Sequence, residues 1–118
     1  MRTNTLTNLI VVPDSNNKKH PIDVRVVVKV KYEEGSVFVH FYNGRVMKFE
    51  RPLNVFNELI VRHDFVRVNK DCLINPQYLE GLKPGRKVLA VLSDGSEESV
   101  GRDVRKLLAH YILDTVYS

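Results

Sequence analysis

Two dipeptides, Asn43-Gly44 and Asp94-Gly95, each stand between two runs rich in β-branched and aromatic residues. Asn-Gly and Asp-Gly best tolerate the positive φ angles of a two-residue hairpin turn, because glycine has no Cβ to clash and Asn or Asp accepts the left-handed region. The stretch "VFVHFYNGRVMKFE" is therefore expected to be an antiparallel hairpin, and "YLEGLKPGRKVLAVLSDGSEESV" to hold two strands on either side of Asp94-Gly95 as a second one. Two such signals in 118 residues commit much of the chain to antiparallel sheet.

The remaining segments fit around them. A first strand is expected to end near Val12, followed by a loop over Pro13 to Pro21, where turn-forming and solvated residues crowd together. Ile22 to Lys31 carries five valines with Arg25, Lys29 and Lys31 partly alternating, and reads as one strand that the "YEEGS" turn closes. In "RPLNVFNELI" Pro52 suits a first helical turn, and Leu53, Phe56, Leu59 and Ile60 recur at helical spacing. A short amphipathic helix is expected near 52–62, stopping around His63-Asp64. "FVRVNKDCLIN" reads as one or two strands before a turn at Asn75-Pro76. From Gly101 the period changes: Val104, Leu107, Leu108, Tyr111 and Ile112 form the apolar stripe of a helix near 102–114. The expected fold is mostly β, with antiparallel sheets, in a single domain over 1–118.

Composition removes several classes of function. A hydrophobic share of 43% and a charged share of 27% are those of a globular protein. No apolar run approaches the roughly 18 to 20 residues of a membrane helix, and no signal-peptide core opens the chain, so a cytoplasmic location is the expectation. The single cysteine, Cys72, allows no internal disulfide and no multi-cysteine zinc site. It reads first as a buried small hydrophobe and second as a reactive thiol. His20, His40, His63 and His110 are isolated in sequence, the glycines form no phosphate-cradling loop, and Glu33-Glu34 and Glu97-Glu98 read as solvated charge near turns. No enzyme, no cofactor and no metal is expected.

The basic residues are more informative. Net charge is +4 and the pI about 9.3, which permits a polyanionic partner. Arg102, Arg105 and Lys106 fall at i, i+3 and i+4 in the first turns of the last helix, where cations oppose the helix dipole. A phosphate backbone would account for the arrangement, met by the three cations, the free amides of the helix start and the hydroxyls of Ser96 and Ser99. A merely solvated basic face fits the same pattern. In "FVRVN", inward Val66 and Val68 would leave Phe65, Arg67 and Asn69 on the other face. Arg and Asn are shaped to read base edges, and equally serve to make an edge strand unattractive to pairing.

The order Phe65-Val-Arg67-Val-Asn69-Lys70-Asp71-Cys72-Leu-Ile-Asn75, between a short helix and a strand, turn, "LSDG" and "SVGRDVRKL", resembles the LytTR family of bacterial DNA-binding domains. The likeness runs from about Leu9 to Leu113. It implies an elongated, mostly β domain whose loops enter successive major grooves of double-stranded DNA. By position, Ser36, Asn69, Lys70 and Arg102 would fall on base-contacting loops. Arg67 would be structural or touch phosphate, and Asn75 would hold the turn before Pro76. Ser99, Arg105, Lys106, Arg86 and Lys87 would serve the backbone contact. Asn69 stands where the family commonly has histidine, Asp71 and Cys72 where it has serine and an aromatic residue, and Ser36 is short. Asp71 would then either pair with Lys70 or weaken DNA binding. The resemblance implies a transcription regulator acting on promoter sites, with direct repeats and a homodimer on DNA left open. The rival is a protein-interaction module on the same fold with a decayed DNA surface.

Overall fold

The structure, a computed structural model, describes residues 8–117, with side chains over 8–112. Residues 1–7 and 118 of the expected domain lie outside the described residues. Among the described residues, ten strands and two α-helices follow in order: β1 Leu9–Pro13, β2 Lys19–Asp23, β3 Val27–Glu33, β4 Ser36–Phe41, β5 Val46–Phe49, α1 Asn57–His63, β6 Val66–Asn69, β7 Cys72–Ile74, β8 Leu79–Lys83, β9 Leu89–Leu92, β10 Glu97–Ser99 and α2 Arg102–Tyr117. Every strand pair is antiparallel.

A five-stranded sheet, ordered β5-β4-β3-β7-β6, divides the molecule into two cores. Against one face lie the β1-β2 hairpin and α1 with the 3-10 turn before it. Ile10, Val12, Ile22, Val30, Val39, Phe49, Phe56, Leu59 and Phe65 meet there. Against the other lie the β10-β9-β8 sheet and α2, which bring Ala90, Leu92, Val100 and Leu108 onto Val28, Val68, Cys72 and Ile74. Cys72-Leu73-Ile74 therefore alternates between two apolar layers with no residue facing water, which is why this strand reads as a continuous apolar run. Cys72 is fully buried, and burial pushes its thiol pKa up to about 12.

The hairpins at both Gly pairs form, with a different turn from the one expected. Phe41 N–H donates to Arg45 O and Leu92 N–H to Ser96 O, so each loop has three residues, and only its glycine has positive φ, 89° at Gly44 and 85° at Gly95. This is the three-residue loop that ends in a left-handed glycine. The two-residue turn with both angles positive is at Glu34-Gly35, φ 50° and 85°.

Two other expectations are corrected. The segment Pro13 to Pro21 is not all loop: Lys19–Asp23 pairs with Leu9–Pro13, and Pro21 sits opposite Val11. Both strands are edges, so the missing proline N–H breaks no ladder. Nor is 22–31 one strand. Asp23 accepts the Arg25 N–H and caps a 3-10 turn over Val24–Val26, and a bulge between Val27 and Lys29 follows.

The short helix forms where expected. Leu53–Phe56 winds as a 3-10 turn into α1, and Phe56 and Leu59 are fully buried, each contributing about 1.5 to 3 kcal/mol of apolar burial. Asp64, at φ 59°, ends α1 by donating its N–H to Leu59 O, and Arg62 and His63 lie at the negative end of the dipole.

Candidate nucleic-acid interface

The strand in "FVRVNKDCLIN" divides into β6 and β7 about a turn at Lys70-Asp71, with Asn69 opposite Cys72. Val68 is buried as expected. Phe65 faces the other way but does not project, because that side of the sheet is also core and leaves it 3% exposed. Arg67 is exposed and folds over the turn, its guanidinium donating to the carbonyls of Asn69 and Lys70. Of its five N–H donors, those not so used remain for an anion.

Asn69 is occupied within the molecule. Its Oδ1 accepts the Asp71 N–H at 2.9 Å, the local bond by which Asn shapes a turn. Its Nδ2 donates to Ser99 O at 2.8 Å and Ser99 Oγ at 3.2 Å. One residue earlier, Val68 O accepts the Gly101 N–H at 2.7 Å. A Cβ on Gly101 would stand 3.4 Å from that carbonyl, an ordinary van der Waals contact. Val100 N–H donates to Val88 O, which ties the same linker to the end of the β8-β9 connection.

The two basic clusters, distant in sequence, are thus side by side. The β6-β7 turn, the 99–101 linker and the start of α2 form one continuous piece. Lys70, Arg102 and Lys106 are exposed, and none of their side chains has a partner among the described residues. Arg105 is half-buried and donates from Nε to Val100 O at 3.3 Å. Arg86 and Lys87 are exposed in the β8-β9 connection, which shares a shallow groove with Arg105 and Lys106 through Pro84 and Val88. Asp71 forms no ion pair with Lys70, and its carbonyl accepts the Tyr32 N–H instead.

Ser36 does not join this set through its side chain. It opens β4 opposite Glu33, 7% exposed, and the turn beside it displays Glu34. Asn75 holds its turn: Oδ1 accepts the Gln77 N–H and Nδ2 donates to Val27 O. Ser96 bonds Asp94 in the β9-β10 turn.

Sequence reasoning missed one cluster. Glu98 is not solvated charge: it is 4% exposed, with Lys29 Nζ at 2.7 Å and Lys31 Nζ at 3.0 Å. The available signal was Lys29 itself, a charge inside the run "VVVKV" where both neighbours are buried. Half-buried His40 lies near the cluster, its pKa lowered by burial and then by Lys29. His20 bonds Asp14 at 2.9 Å and meets the Phe49 ring edge-on. Among the described residues no group of three or more His, Cys, Asp or Glu is placed to hold a metal, and no helix is long and apolar enough to cross a membrane.

Comparison with known proteins bears on the family and the fold. The family model described as the LytTr DNA-binding domain matches residues 17–112. Among solved structures, the fold is similar to the LytTr DNA-binding domain of a methyl-accepting/DNA response regulator from Bacillus cereus. The TM-score is 0.67 at 12% identity, over 89% of this chain and 96% of that one. No curated protein matches.

Proposed function

The chain belongs to the LytTR family of DNA-binding domains, and from that premise we propose that it is a sequence-specific regulator module. In this reading the β6-β7 turn and the start of α2 enter a major groove of promoter DNA. Lys70 and Arg102 face base edges, while Arg67, Arg105, Lys106, Arg86 and Lys87 neutralise phosphates. The exposed N-terminus of α2 adds backbone N–H groups to the same anion-binding surface. Asn69 and Ser99 act as the pin between the two elements, and Ser36, being buried, makes no contact through its side chain. The cytoplasm is the compartment such a function requires.

The observation that carries this reading is the Asn69–Ser99 contact, which joins the elements bearing Lys70 and Arg102, cations with no side-chain partner among the described residues. A surface kept only for solubility has no need to join two basic clusters by a shared amide. A protein-interaction role leaves the family membership and these cations unused.

Fluorescence anisotropy on promoter-derived and scrambled duplexes tests it. If the five cations nearest the pin each displace one counterion, log Kd changes with log salt at a slope of about 4 to 5, a loss of about 500-fold from 50 to 200 mM. The Lys70→Ala/Arg102→Ala variant should lose the preference for particular fragments while keeping part of the salt response. A protein that binds no duplex at 50 mM salt overturns the proposal.

A further inference from the structure

The Glu98 cluster lies on a different face of the same strand that leads into the interface. β10 has three residues, paired as Glu97 with Val91, Glu98 with Ala90 and Ser99 with Leu89. So short a strand is weakly held in register by its ladder alone. Its middle side chain crosses to the central sheet, where Glu98 Oε2 takes Lys29 at 2.7 Å and Oε1 takes Lys31 at 3.0 Å. Lys29 and Glu98 have side chains 7% and 5% exposed, whereas Lys31 is partly solvated and also lies 3.6 Å from Glu33. The next residue, Ser99, holds Asn69 through its carbonyl and hydroxyl, and Gly101 follows with its bond to Val68.

We propose that Lys29 and Glu98 are positioning residues for DNA recognition, fixing β10 so that the 99–102 linker meets the β6-β7 turn in one register. This rests on the interface being the DNA-binding surface. The physical case is one of specificity against stability. Cys72, Ala90, Leu92 and Val100 already pack the layer, and a buried ion pair adds little net stability over apolar side chains of similar size. It adds direction. A slip of β10 by one residue would turn Glu98 to solvent, leave Lys29 buried without a counter-charge, and carry Ser99 away from Asn69. Apolar contacts alone would penalise that slip far less. Of the other charged groups near the cluster, Glu33, His40 and Asp94, none forms an ion pair with Lys29 among the described residues, and Asp94 acts on it only as a nearby charge.

The test is the full chain carrying Lys29→Met and Glu98→Leu together, compared with wild type by urea unfolding, by hydrogen exchange at the Gly101 amide, and by anisotropy on specific and scrambled duplexes. The expected result is an unfolding midpoint at or above that of wild type, Gly101 exchange faster by about tenfold, and a specific-to-scrambled affinity ratio lower by about tenfold, comparable to losing one good base contact. A stable double variant with wild-type Gly101 exchange and wild-type discrimination overturns the proposal. If the double variant does not fold, Lys29→Leu with Glu98→Met, a second pair that removes both charges at similar volume and leaves no lone buried charge, is read by the same exchange measurement with the same two outcomes. Absence of salt-sensitive DNA binding by the wild type would instead refute the DNA reading, while Gly101 exchange still reports on the positioning.

Discussion

Replacing Asn69 by alanine separates a residue that reads bases from one that builds the surface. The substitution deletes three hydrogen bonds, to Asp71 N, Ser99 O and Ser99 Oγ, all in a half-buried setting. Each such bond contributes about 0.5 to 1.5 kcal/mol net, and Ser99 O and Asp71 N–H lose a protein partner where water has only partial access. Ser99 Oγ can rotate to a new partner, so the bond to it counts least. The expected loss is about 2 kcal/mol of folding stability without any DNA present. With a urea m-value of about 2 kcal/mol/M, the midpoint of a two-state transition would fall by about 1 M. Asn69→Asp should be worse than Asn69→Ala, because a carboxylate oxygen would then face Ser99 O. The assay is urea unfolding followed by circular dichroism, paired with anisotropy on the same preparations. If Asn69→Ala unfolds within about 0.5 kcal/mol of wild type while specific affinity falls tenfold or more, Asn69 is free in solution and reads a base, and the pin is wrong.

Arg102→Ala removes an exposed cation with no partner among the described residues, so it should leave stability within about 0.5 kcal/mol and cost about 1 to 3 kcal/mol on a specific duplex, measured by unfolding and anisotropy; equal loss on scrambled DNA assigns it to phosphate. Cys72, with its thiol pushed up to about 12, should resist a water-soluble thiol reagent at neutral pH in the folded protein and react promptly in urea, as followed by chromophore release. His40 has a folded pKa below its ordinary value of 6.5, mainly from burial, so the unfolded chain binds the proton more readily. Its contribution is complete above about pH 6.5 and is lost as pH falls towards the folded pKa. His40→Gln should flatten the decline in unfolding midpoint across that window, and an unchanged decline would assign it to other groups.

Much of the fold was legible because it rests on local rules. Glycine at 44 and 95 marks two hairpins whatever the loop length, and the period of Leu53, Phe56, Leu59 and Ile60 marks the helix before β6. The turn class was not legible, since Asn-Gly and Asp-Gly serve both two- and three-residue loops, and strand register decides between them. β2 was hidden because its exposed face is Lys19 and Pro21, residues that resemble loop when the buried partner Ile22 is counted with the next segment. At the interface, the cations were visible as residue types, but the use of Asn69 was not. Its partner lies thirty positions away, and an asparagine that reads a base and one that binds a carbonyl look alike in sequence. Glu98 was misread for the same reason: whether a carboxylate is solvated depends on Lys29, which only the packing of two sheets brings to it.

The strand order of the central sheet also sets an order of assembly. β3, β4 and β5 are joined by tight turns and can form early, as can the β6-β7 hairpin, but the pairing of β3 with β7 must close a loop that contains β4, β5 and α1. Until that loop closes, Lys29 and Lys31 have no second layer and Glu98 has no counter-charge. The candidate interface joins the β6-β7 turn, whose hairpin docks onto β3 at that closure, to β10 and α2, which follow it in the chain. Its competence is therefore gained late, and a refolding chain should recover strand signal before it recovers affinity.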